Sequence, residues 1–180
     1  ITRVMKSRLI NNAGTGLLSH GASTLSQLPH LRLFESELSH NGRGGLWSQL
    51  PPPSQDTPNI PMDTYPFLSL HDTILDNNGL FGLYASVSRV RLTNVTIPSV
   101  RDLPKRLSCP VDHTDCFTPP NPPPPNFPDY SEPLYWGDGL HVCGSPLVTL
   151  RNVSSGLMPR HGIFTTNVGQ VDLERVELLS

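Results

Sequence analysis

The chain has 180 residues, enough for one ordinary domain. Hydrophobic residues make up 36% and aromatics 7%, and 13 Lys plus Arg against 15 Asp plus Glu leave a net charge of −2. That balance predicts no basic surface of the nucleic-acid type, and no apolar run is long enough to span a bilayer.

The opening, ITRVMKSRLI, lacks an initiator Met and an apolar signal core, so Ile1 reads as an internal position of a longer chain. From there the apolar residues alternate with polar ones in short runs. LRLFESEL, LSLHDTIL, VRLTNVTI and VDLERVEL are the clearest. A period of two means strand with one face buried. A Gly followed by Leu or Ile recurs at Gly16, Gly45, Gly82, Gly139 and Gly162. Aliphatic residues stand twelve positions before four of these glycines: Val4, Leu33, Leu70 and Leu150. Where nothing interrupts it, the repeat runs from Leu70 to Leu92 and from Leu150 to Leu173. A single pass of about 22 residues cannot bury its apolar face, but stacked passes share one interior. The expectation is about five passes and the beginning of a sixth. An uncovered end would invite aggregation, so further coils of the same chain or an assembly are expected partners.

Seventeen of the twenty prolines fall in two stretches, Pro51–Pro66 and Pro98–Pro133. Proline has no ladder donor, so these stretches are expected as loop insertions at about 49–66 and 98–136. The second holds Cys109 and Cys116 as CPVDHTDC. A small disulfide ring is the preferred reading, and a metal site using His113 as well is the rival. Cys143 reads as a small core residue, with pairing to a cysteine of the insert as the alternative.

The segment Leu70 to Tyr84, LHDTILDNNGLFGLY, resembles the parallel β-helix repeat of the pectin-lyase-like superfamily. HNGRGGLW (His40 to Trp47) and PRHGIFTTN (Pro159 to Asn167) resemble the same element. The resemblance implies an all-β chain, a right-handed parallel β-helix, forming one segment over 1–180. It leaves function open, because similar folds include polysaccharide lyases, polygalacturonases and non-catalytic surface repeats.

On such a fold, chemistry lies in columns of side chains. The residue two after each repeat glycine reads Leu18, Trp47, Tyr84, His141 and Phe164. Alternation points this column away from the interior. Trp47, Tyr84, His141 and Phe164 are therefore candidate glycan-binding residues, or else rings that pack on one another or under the inserts. The residue before each glycine includes Asp138 and His161, one repeat apart, which faintly resembles polygalacturonases. Those enzymes have a paired-Asp coil and an Arg-x-Lys that this chain lacks. Asp138, His161, Arg160 and His141 remain the catalytic candidates, with one carboxylate where glycoside hydrolysis needs two.

Asn94 and Asn152 head glycosylation sequons and share a column with Glu35, Asp72 and Arg175. Stacked that closely, at most one is expected to carry sugar, and a ladder of turn residues is the alternative. No metal site or cofactor is expected, although acidic Glu35 and Asp72 leave room for calcium. The functional expectation is a secreted or cell-surface module, non-catalytic, that acts as a scaffold or binds a glycan or an extracellular protein. The alternative is a carbohydrate-active enzyme or a fragment of one.

Overall fold

The computed structural model describes residues 1–20, 30–49, 65–101 and 137–179. Among these there are thirteen strands and no helix, hence none long and apolar enough to cross a membrane. The strands are β1 (Thr2–Met5), β2 (Arg8–Ile10), β3 (Leu17–His20), β4 (Leu31–Phe34), β5 (Glu37–Ser39), β6 (Gly44–Gln49) and β7 (Phe67–Ile74). They continue as β8 (Phe81–Ser86), β9 (Arg89–Ser99), β10 (Asp138–Cys143), β11 (Leu147–Leu157), β12 (Ile163–Thr166) and β13 (Gln170–Leu178).

All pairing is parallel and follows chain order. The first sheet runs β1-β4-β7-β9-β11-β13, with β2 and β5 alongside; the second runs β12-β10-β8-β6-β3. The expected columns are the observed register. Val4, Leu33, Leu70, Leu92, Leu150 and Leu173 pair in succession across the first sheet. Leu17, Leu46, Leu83, Leu140 and Ile163 pair across the second. In the middle repeats these side chains are fully buried and form one cluster.

The Gly-aliphatic step has a steric cause. A Cβ on Gly45 would stand 2.6 Å from the Gly82 carbonyl oxygen, and one on Gly82 would stand 2.6 Å from that of Gly139. Consecutive backbones approach too closely here for any side chain.

Corners recur in register as well. Lys6, Glu35, Asp72, Asn94, Asn152 and Arg175 all have φ between 47° and 53°. This left-handed geometry bends the chain between the two halves of each long strand. A second corner carries an asparagine ladder that the repeat search did not reveal. Asn12 Nδ2 donates to Asn41 Oδ1 at 2.8 Å, and Asn41 Nδ2 donates to Asn78 Oδ1 at 3.0 Å. Asn41 and Asn78 are completely buried, and their amides also reach the carbonyls of Leu9 and Leu38. These hydrogen bonds satisfy polar groups that would otherwise be costly to bury.

The second proline-rich stretch begins later than expected. Pro98 lies within β9, and Val100 still bridges to Asn78. The register pairs its neighbours Ile97 and Ser99 with Ser155 and Leu157 but not Pro98 itself. Its missing donor falls where no ladder partner is recorded, so the strand tolerates it.

Candidate functional site

The second sheet places the residue before each glycine in register, so Asp138 of β10 pairs with Phe81 of β8. One repeat later His161 stands just before β12. Asp138 is completely buried, yet both carboxylate oxygens are held. His141 Nδ1 lies 2.9 Å from Oδ2, and His161 Nδ1 lies 2.9 Å from Oδ1. Each carboxylate oxygen thus has one imidazole nitrogen within hydrogen-bond distance. His141 is as buried as Asp138, while the His161 side chain is 44% exposed. Arg160 is tied through its backbone N–H to the Gly137 carbonyl at 3.0 Å. All four catalytic candidates therefore converge on one corner. Chemically, the cluster can orient the solvent-facing His161. It offers a single carboxylate, and that one is fully engaged.

The ring column forms beside it. Trp47 meets Tyr84 edge-on at 6.0 Å, Tyr84 stacks on His141 at 5.4 Å, and His141 meets Phe164 at 4.8 Å. Trp47, Tyr84 and Phe81 group with Leu80 and Cys143 in a second cluster outside the main interior. Tyr84 is 1% and Trp47 8% exposed. Their faces are turned on one another, which is how aromatic quadrupoles prefer to meet. Only Phe164, half-buried and flanked by His161 at 5.2 Å, presents ring surface near solvent. Trp47 Nε1 is buried and makes no hydrogen bond among the described residues.

No match to this chain emerges from comparison with models of known protein families, with curated proteins or with solved structures.

The remaining expected sites are distributed elsewhere. Cys109, His113 and Cys116 lie outside the described residues. Cys143 is buried with Sγ 3.4 Å from the Tyr84 hydroxyl, and no disulfide occurs among the described residues. The sequon asparagines form a ladder: Asn152 Nδ2 donates to Asn94 Oδ1 at 2.9 Å, and Asn94 Nδ2 donates to Asp72 Oδ1 at 2.8 Å. The acidic column expected to leave room for calcium is spent on neighbours. Glu35 faces Lys6 at 3.7 Å, and Asp72 faces His71 at 2.6 Å. Among the described residues no group of three or more His, Cys, Asp or Glu is arranged to hold a metal.

Proposed function

We propose that the chain is a segment of right-handed parallel β-helix acting as a non-catalytic extracellular module, a scaffold that also binds glycan or protein partners. The observation that carries this reading is the state of Asp138. Acid–base cleavage of a glycosidic bond ordinarily uses two carboxylates flanking the bond. Asp138 is fully buried and shared between two imidazoles. The cluster reads as a polar clasp between successive repeats, with Phe164 and His161 as its outer face. Partners for the stack itself, whether further coils or an assembly, are favoured by β13. Leu173 there is 60% exposed although Leu33, Leu70, Leu92 and Leu150 of its column are fully buried.

The enzyme reading rests on one feature, the exposed His161 ring oriented by a buried carboxylate. The two readings separate by experiment. The chain is incubated with neutral and acidic polysaccharides, with reducing ends and unsaturated products measured, and is screened in parallel on a glycan array. The scaffold reading expects array signal that falls on Phe164→Ala, and no cleavage. Cleavage abolished by Asp138→Asn would establish the enzyme instead.

A further inference from the structure

The near-neutral bulk charge hides an uneven surface. Alternation in the first sheet turns Leu31, Leu33, Leu68, Leu70, Val90 and Leu92 inward, where they are buried. The intervening side chains form its outer face. Over the first four repeats, up to the corner that Glu35 and Asp72 occupy, that face carries Arg3, Arg32, Arg89 and Arg91 with Phe34, Phe67 and His71, and no carboxylate among the described residues. Arg3, Arg32, Ser69 and Arg91 are one registered column, so the stacking distance sets their spacing at about 4.8 Å per repeat.

The guanidiniums gather on one ring. Arg32, Arg89 and Arg91 lie 5.9, 5.7 and 5.5 Å from the Phe67 centroid. Such contacts hold the side chains in place. Arg3, Arg32 and Arg91 make no ion pair among the described residues. Arg32 Nε is moreover buried without a hydrogen-bond partner. A desolvated, unpaired donor on Arg32 is costly, and an oxyanion would relieve it. The nearest corner carboxylates, Glu35 and Asp72, are occupied by Lys6 and by His71 and Asn94. In the last repeat the same face turns acidic, with Asp172 in the arginine column and Glu174 beside it.

We propose that this strip binds a sulfated polysaccharide, its sulfate groups spanning Arg32 and Arg91 while the chain lies along the column. A densely charged polymer suits four clustered cations better than one carrying a single charge per sugar. Rigid planar forks aligned in a row favour bidentate oxyanion contacts. The inference rests on the glycan-binding reading but places a ligand on a different face from Phe164.

The probe is heparin, titrated into the full chain at low and high salt. A uronate-only polymer and single-stranded DNA serve as comparisons, and thermal melts confirm folding. Heparin binding is expected to weaken steeply with salt, as exposed charge pairs are screened. Arg32→Gln and Arg91→Gln should each weaken it at least about fivefold, since hydrogen bonds to charged groups are the strong ones. Arg32→Lys should recover only part of that loss. Ser69→Glu, which sets a carboxylate in mid-column, should abolish it. Equal affinity for the uronate polymer, tighter binding of DNA, or arginine variants that bind like the parent would each overturn the assignment. Binding to neutral glycans alone would overturn it too, while leaving the scaffold reading intact.

Discussion

Asp138 shows how burial, partner number and exposure combine at one residue. The carboxylate has left water completely, and its two imidazoles replace the lost hydration. Removing it takes the carboxylate from the Nδ1 of a fully buried His141, so Asp138→Ala is expected to cost about 3 kcal/mol of unfolding free energy. His161→Ala removes only a half-exposed partner and should cost about 1 kcal/mol. Denaturant melts giving the reverse order would contradict the clasp. Sequence alone placed Asp138 and His161 one repeat apart, because Gly139 and Gly162 mark the register. It could not show burial, since an Asp before a glycine looks the same inside or outside. A surface pair behaves differently. Arg8 donates Nε–H to Glu37 at 2.7 Å and holds that carboxyl below its ordinary range. A lowered folded-state pKa contributes stability that is present above the ordinary carboxylate range and lost as pH falls. Arg8 is exposed and Glu37 partly so, and solvent screens most of that effect.

Among the elements, the glycine column is the most restrictive feature. Gly82→Ala would push a methyl group to 2.6 Å from both the Gly139 oxygen and Ile97 Cγ2. It should destabilise by about 1–3 kcal/mol, as overpacking does. Gly14→Ala is the control, because nothing lies within 4 Å of that position. Equal melting temperatures for the two variants would remove the close-approach explanation. The glycines were legible because each is followed by an aliphatic residue. The asparagine ladder had a signal that went unused: Asn12, Asn41 and Asn78 each stand four residues before a repeat glycine. It escaped notice because the fourth and fifth repeats have Tyr135 and Met158 there, so the column is broken. Pro98 misled for a related reason. Composition marks a proline as a breaker, whereas its phase in the ladder decides whether the missing donor matters.

At the scale of the molecule, each repeat rests mainly on its two neighbours, so stability should be graded along the stack. The aliphatic columns are fully buried through β7, β9 and β11, while β13 is exposed along nearly its whole length. Hydrogen exchange is therefore expected to be slowest in those three strands and fastest in β1 and β13. Uniform protection would mean that the repeats unfold as one unit. The arginine strip also belongs to this scale. Arg3, Arg32 and Arg91 lie far apart in sequence, and whole-chain charge averages them away against Asp172, Glu174 and Glu177. Only the stacking register assembles them.

The Asp72–Asn94–Asn152 ladder bears on the timing of modification. In the finished fold each sequon amide already serves as a donor to the carboxylate or amide beside it, on a backbone locked in left-handed geometry. A transferase needs that nitrogen as a nucleophile on a pliant segment. Any sugar attachment would therefore compete with the closing of this corner for the same atom, and would have to precede stacking.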